Sequence, residues 1–327
     1  MIRILNEREI RSIVSLNESV IAAIETGFAE LAKGNALVPP IMMLPVPEKH
    51  GEVDIKSAYI KGMNQMAIKV ASGFFENSRL GLPSQSGQML VVSAETGFLQ
   101  GVLLDNGYLT QVRTGAAGAV AAKYLAPQSV DAVGVIGSGV QARFQMAALK
   151  LVRDFSTIHM FSLDKDAIKD RYVYDMQAQL GVTVVKSSSV EAVVKESGIV
   201  VTTTPARQGF IKAVWLHPGL HITAMGSDTE TKQELEDDVL AAADVVVCDL
   251  ISQSTRLGEL RRPVAQNLVA EDSVVELGTI VNGQAPGRTD ERQTTVCDLT
   301  GVGVQDTMIA VKTLTVAEEL GVGLTIA

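Results

Sequence analysis

The chain has 327 residues, enough for two domains, and 46% of them are hydrophobic against 20% charged, so a sizeable core is available. A formal net charge of -9 with no basic stripe argues against a nucleic-acid partner, and no apolar run approaches the roughly 18–20 residues that span a bilayer. The opening MIRILNEREIRSIV mixes charge throughout, unlike a signal peptide, and Cys248 and Cys297 sit in apolar runs as buried thiols rather than a disulfide or metal pair, which makes a cytoplasmic protein the simplest reading.

Residues 5–31 carry helical periodicity through Val20, Ile21, Ile24, Phe28 and Leu31, with Asn17 as a cap and Gly34 as the end. Pro39-Pro40 breaks the chain. Residues 53–59 and 65–71 alternate as strands and carry Lys56 and Lys69. Gly81-Leu82-Pro83 is a turn. Residues 89–93 and 99–104 read as strands joined by the turn Glu95-Thr96-Gly97. The first part is therefore helix plus an antiparallel or mixed sheet. Residues 109–125, LTQVRTGAAGAVAAKYL, form an alanine-rich helix whose small residues suit close packing, and it is expected to bridge two domains.

From Pro127 onward strands and helices alternate. Strands are predicted at 132–136, 157–162, 182–185, 199–204, 221–225 and 245–249, with edge strands at 273–280 and 294–298. Such alternation implies a parallel sheet covered by helices on both faces. A last helix at 307–320 is expected to return to the first domain. The domains are thus 1–122 with 307–327, and 123–306.

The stretch VGVIGSGVQA at 133–142 ends an apolar run at Gly137 and completes G-x-G-x-x-A with Gly139 and Ala142, just ahead of an apolar-periodic helix. Strand, glycine turn and helix together form a dinucleotide-binding fingerprint: Gly137 for the sharp turn, Gly139 for close approach of a pyrophosphate, Ala142 for helix–strand packing. The ribose partner is sought at the end of the second strand, where Asp164 is the nearest acid. Its carboxylate suits a ribose diol and repels a 2′-phosphate, so NAD is favoured over NADP. The alternative is that Asp164 caps the following helix. Thr202-Thr203-Thr204-Pro205 ends the fourth strand, at the edge where such sheets bind ligands. Asp228, past the fifth, is a candidate proton donor or acceptor, or else Ser227 or Asp228 caps a helix through residues 232–240. Lys56, Lys69 and Arg113 are cations in or beside apolar runs; converging on a cleft, they would hold a carboxylate. His50, His159, His217 and His221 have no metal-ligand spacing and read as structural or solvated.

LTQVRTGAAGAVAAKYLA, VIGSGVQAR, GSDTETKQEL and DLTGVGVQD occur in this order, with GLPSQSG at 81–87 and ELG and QAPGR within 276–288. Together they resemble the ornithine cyclodeaminase/mu-crystallin family over nearly the whole chain. GEVDIKSAYI and GFFENSRLGLPS look most like its ectoine-utilisation branch. The resemblance implies an α/β architecture: a Rossmann doubly wound parallel sheet, plus an N-terminal α+β substrate and dimerisation domain completed by the C-terminal helix. It implies a homodimer working on small α-amino or α-imino acids through a C=N intermediate and nicotinamide hydride transfer. Members include reductases and dehydrogenases that consume NAD(H), cyclodeaminases that recycle it, and binders with little catalysis. By the same resemblance Lys69 and Arg113 contact the substrate carboxylate, Lys69 within the catalytic machinery, and Gly301 lies on the substrate side. Asp228 is the acid/base residue. Ser84, Thr114, Gly137, Gly139, Val140, Gln141, Thr204, Lys232 and Thr300 are cofactor-side positions. Two departures stand out. Ile41-Met42 follows the prolines where the family often has an arginine, so Lys56 is expected to substitute. Ser162 stands where NAD-preferring members often have aspartate. The missing arginine favours an NAD-dependent imine reductase or amino-acid dehydrogenase over a cyclodeaminase, Asp228 argues against a non-catalytic binder, and Ser162, itself a cofactor-side position, makes the preference for NAD over NADP less sharp.

Overall fold

In the computed structural model, which describes residues 1–74 and 76–327, the chain divides into two units: Met1–Arg113 with Val302–Ala327, and Thr114–Gly301. The divisions fall at 113/114, inside the helix Tyr108–Leu125, and at 301/302, whereas the sequence reading placed them at 122/123 and 306/307. Phe75, within GFFENSRLGLPS, lies outside the described residues.

In the first unit, residues 5–31 do not make one helix. Ile2–Asn6 is a strand, paired in parallel with Leu99–Leu104 and antiparallel with Leu324–Ile326. Asn6 then starts the helix Glu7–Ile13 through a capping box with Glu9, and Asn17 starts Glu18–Ala32 by accepting from Val20 N at 3.0 Å. Ladder bonds to distant strands outweigh the local helical period over the first residues. The sheet is mixed and has eight strands: Leu324–Ile326, Ile2–Asn6, Leu99–Leu104, Gln85–Ser93, Gln65–Phe74, Gly51–Ile60 and Ala36–Leu37 in that order, with Met42–Val46 also on Gly51–Ile60. The C-terminal helix, Gly303–Leu320, starts four residues earlier than expected and packs on Gly51–Ile60, Gln65–Phe74 and Glu18–Ala32. It comes so close to the sheet that a Cβ at Gly303 would lie 2.1 Å from the Ser57 carbonyl oxygen. Thr307 Oγ1 donates to the Ala58 carbonyl at 2.8 Å.

The second unit is built on eight parallel strands in the order Thr183–Lys186, Thr157–Phe161, Ala132–Ile136, Ile199–Thr202, His221–Ala224, Thr295–Asp298, Val245–Cys248, Val275–Glu276. Strand residues alternate between two cores. Val133, Val135, Ile199 and Val201 face one, and Val200, Ile222, Ala224 and Val296 the other. Burial on both faces explains why these strands read as continuous apolar runs. The order reverses between Ala132–Ile136 and Ile199–Thr202, the switch point where doubly wound sheets bind ligands. Two expectations need correction. Thr295–Asp298 is not an edge strand but lies inside the sheet, and of residues 273–280 only Val275–Glu276 is strand, followed by the helix Leu277–Val281. No described helix is long and apolar enough to cross a membrane.

Candidate active site

In the first unit, antiparallel pairing sets Lys56 directly opposite Lys69 on neighbouring strands, so both side chains leave the same face of the sheet. Lys69 is 2% exposed. Its Nζ lies 3.0 Å from Oδ1 and 2.9 Å from Oδ2 of Asp306, in the first turn of Gly303–Leu320. Arg113 Nε is 3.0 Å from Asp306 Oδ1, and Arg113 Nη1 donates to Gln305 Oε1 at 2.6 Å. All four charged groups are buried. Burial pulls the Lys69 ammonium down to about 7, and Arg113 and Lys56 push the same way against Asp306. For Asp306 burial acts upward, but Arg113, Lys69 and Lys56 outweigh it and hold the carboxyl below its ordinary value. Lys69 and Arg113 touch the Asp306 carboxylate and Lys56 acts on it from the neighbouring strand, so three cations converge in a poorly solvated place. Asp105, just before the Tyr108–Leu125 helix, accepts from Leu109 N at 2.7 Å, and burial pushes it up to about 6. Ser84 lies exposed in the bend after Pro83, its carbonyl accepting from Phe74 N at 2.8 Å.

In the second unit, the strand Ala132–Ile136 runs through the turn 137–139 into the helix Val140–Lys150. Gly137 has φ +118°, and a Cβ there would sit 2.5 Å from Thr203 Oγ1, so the turn needs glycine twice over. Gly139 has an ordinary φ of -74°, and nothing lies within 4 Å of where its Cβ would be. Its missing side chain serves the open space at the helix start, not the backbone. Val140 and Gln141 follow in the first turn of that helix, and Thr114 anchors it by accepting from Gln145 Nε2 at 2.8 Å. Asp164 joins this turn: its carboxylate accepts from Ser162 Oγ at 2.8 Å and from Ser138 Oγ. It is not the cap of the next helix, Asp166–Leu180, whose N-cap is Lys165.

Past the fifth strand no helix runs through residues 232–240. Gln233–Leu235 is a buried strand paired with Arg207–Ile211, and the helix begins at Asp237. The Glu259 carboxylate takes the Glu234 and Leu235 N–H groups at 2.8 and 3.1 Å, replacing the bonds a helix would have made. Neither Ser227 nor Asp228 is therefore a helix cap. Asp228 lies in the irregular segment 225–232 and pairs with Lys232 at 2.6 Å, while Ser227 Oγ donates to the Lys232 carbonyl at 2.9 Å. Thr204 donates to Glu234 through both N (2.6 Å) and Oγ1 (2.8 Å). Thr300 Oγ1 and Gly301 N donate to Asp249 at 2.9 and 2.7 Å. Asp306, Gln305, Glu234 and Asp249 escaped the sequence reading. Each is a polar residue in or beside an apolar run, within or next to the motifs GSDTETKQEL and DLTGVGVQD or at the end of a strand.

A model of the ornithine cyclodeaminase/mu-crystallin family matches residues 3–319. An uncharacterized cyclodeaminase of Sinorhizobium fredii is 45% identical over 324 residues, 98% of this chain and 97% of its own. The Δ1-pyrroline-2-carboxylate reductase of Thermococcus litoralis, solved with NADH and L-proline, has a TM-score of 0.93 at 28% identity, covering 99% of this chain and all of its own. An archaeal alanine dehydrogenase dimer with bound NAD has a TM-score of 0.92 at 30% identity, covering 100% and 99%.

Proposed function

The chain belongs to the ornithine cyclodeaminase/mu-crystallin family, and from that premise we propose that it transfers hydride between NAD(H) and the Cα of a small α-imino or α-amino acid. The observation that carries the reading is the buried cation cluster Lys56, Lys69 and Arg113, with Lys69 and Arg113 directly on the Asp306 carboxylate. It matches an α-carboxylate in charge, and Arg113 adds a planar fork. The open space before Gly139 at the N-terminus of Val140–Lys150 fits a pyrophosphate, and Asp164, tied to Ser138, fits a ribose diol and disfavours a 2′-phosphate. Ser84, Thr204, Lys232 and Thr300 are assigned to the cofactor side and Gly301 to the substrate side.

When bound, the dinucleotide supplies the hydride in reduction and accepts it in oxidation. In reduction Cα of the C=N bond gains the hydride and the nitrogen gains a proton, giving the amine. Lys69 and Arg113 hold the carboxylate. Asp228, directly or through a water it orients, gives the proton in reduction and takes it in oxidation. Ile41-Met42 in place of the arginine that ornithine cyclodeaminases often carry favours reduction over cyclisation.

Absorbance at 340 nm tests this. The purified protein with NADH and Δ1-pyrroline-2-carboxylate, iminosuccinate, or pyruvate with ammonia is expected to consume NADH with at least one of them. Ammonia release from L-ornithine at constant absorbance would make it a cyclodeaminase instead, and neither signal would leave a binder. A cytoplasmic homodimer is the proposed form, in keeping with the alanine dehydrogenase dimer, and light scattering checks it. The finer placement beside ectoine-utilisation proteins rests on GEVDIKSAYI and GFFENSRLGLPS, and unimpaired growth on ectoine of a strain lacking the gene would remove it.

A further inference from the structure

Glu234 is fully buried and its carboxylate is saturated by donors from two different strand ends. Oε1 accepts from Thr204 N at 2.6 Å and Thr204 Oγ1 at 2.8 Å; Oε2 accepts from Gly226 N at 2.8 Å and from Thr202 Oγ1. Thr202 closes the strand Ile199–Thr202, and Gly226 follows its parallel neighbour His221–Ala224. One carboxylate thus pins the carboxyl ends of two adjacent strands. The approach is so close that a Cβ at Gly226 would lie 2.3 Å from the Thr204 carbonyl oxygen and 2.5 Å from Glu234 Cδ, so residue 226 has to be glycine. Glu234 itself cannot drift, because Glu259 holds its N–H at 2.8 Å. A buried carboxylate is a costly way to stabilise a fold, and a better way to fix one arrangement. What is fixed here is Gly226, at the start of the segment 225–232 that carries Asp228 two positions later and is closed by the Ser227 bond to Lys232.

We propose that Glu234 is a positioning residue for the reaction: by holding Gly226 against Thr204 it sets the direction in which Asp228 presents its carboxylate. This deepens the functional reading above and rests on it. Glu234→Gln isolates the effect. A glutamine has one acceptor oxygen, so its NH2 must face either the Gly226 or the Thr204 N–H, donor against donor, and one strand end has to shift. A misplacement of about 1 Å costs up to roughly a hundredfold in rate.

The experiment compares wild type, Glu234→Gln, Asp228→Asn and the double variant, using the imino acid that wild type reduces. Glu234→Gln is expected to lower kcat ten- to a hundredfold with KM within about threefold, and to slow Asp228→Asn by less than about threefold, because the group it positions is already gone. Hydrogen exchange of a peptide spanning 224–232 should rise in Glu234→Gln while that of 132–136 stays unchanged. If Glu234→Gln does not fold, Thr202→Val, which removes a single bond, should show the same pattern at about three- to tenfold. A kcat within twofold of wild type, a loss that multiplies in full with Asp228→Asn, or unchanged exchange at 224–232 overturns the inference. A wild-type rate in Asp228→Asn overturns the reading beneath it and this inference with it; a slow Asp228→Asn beside a fast Glu234→Gln overturns this inference alone.

Discussion

Lys69 is a cation whose charge is decided by its neighbours. Burial and two further cations pull it down to about 7, which brings its titration close to neutral pH. A carboxylate arriving beside it favours the charged form and raises its pKa. The sign follows: between about 7 and the raised value, binding takes up a proton, and affinity falls as pH rises above 7, by at most about tenfold per pH unit. Pyruvate is a suitable probe because it has no group that titrates there. Calorimetric titration at pH 7 to 7.5 in phosphate and in Tris should give different enthalpies, the difference corresponding to net proton uptake. Lys69→Met should abolish that difference. Enthalpies identical in the two buffers for wild type would show that the ammonium is already fully charged and that this cluster does not behave as described. Asp306→Asn makes a second check. It removes the carboxylate facing Lys69 and Arg113 and leaves buried cations uncompensated, at a cost of about 3–5 kcal/mol. A fall in denaturant midpoint is expected, partly restored by saturating pyruvate.

At the scale of elements, the strand–turn–helix unit separates two uses of glycine that one motif conflates. Gly137 is required by its φ of +118° and by Thr203; Gly139 is required by neither. Gly137→Ala should therefore cost about 1–3 kcal/mol and lower Tm by roughly 2–5 °C. Gly139→Trp should leave Tm within about 2 °C yet abolish NADH binding in a calorimetric titration, since the indole fills the space before the helix. Retained NADH affinity in Gly139→Trp would remove the pyrophosphate from this turn. The same unit shows what can be read from a chain. Most strands of the parallel sheet are short apolar runs, and the seven expected at 132–136, 157–162, 182–185, 199–204, 221–225, 245–249 and 294–298 fall within two residues of the observed bounds. Spatial order is not written locally, which is why residues 294–298 looked like an edge and lie inside the sheet. Residues 232–240 carry a helical period, but two buried glutamates redirect their backbone into a strand. Residues of the site that act by partnership were the hardest to see. Asp306 meets Lys69 across 237 positions and Gln305 meets Arg113 across 192, and no short-range pattern marks such pairs. Lys56, Lys69 and Arg113 each stand in or beside an apolar run, which marks them only as cations to watch; that all three are buried is seen in the structure alone.

The chain as a whole passes between its units twice. The first is inside the helix Tyr108–Leu125, whose residues up to Arg113 belong to one unit and from Thr114 to the other. The second is at Gly301–Val302, one residue before the helix Gly303–Leu320 that covers the first sheet and brings in Asp306. Melting the second unit would fray the last two thirds of a helix whose first third carries the buried Leu109, Val112 and Arg113. The two units are therefore expected to unfold together, although the glycine turn itself belongs to one of them. NADH at 100 times its Kd adds about 2.7 kcal/mol of stability to the native state. At about 2.1 cal/mol/K per residue, 327 residues give an unfolding entropy near 0.7 kcal/mol/K, so the whole transition should move up by about 4 °C. Scanning calorimetry distinguishes the cases: a single endotherm that shifts intact with NADH is expected, and two endotherms of which one moves while the other stays would show that the shared helix does not couple the units.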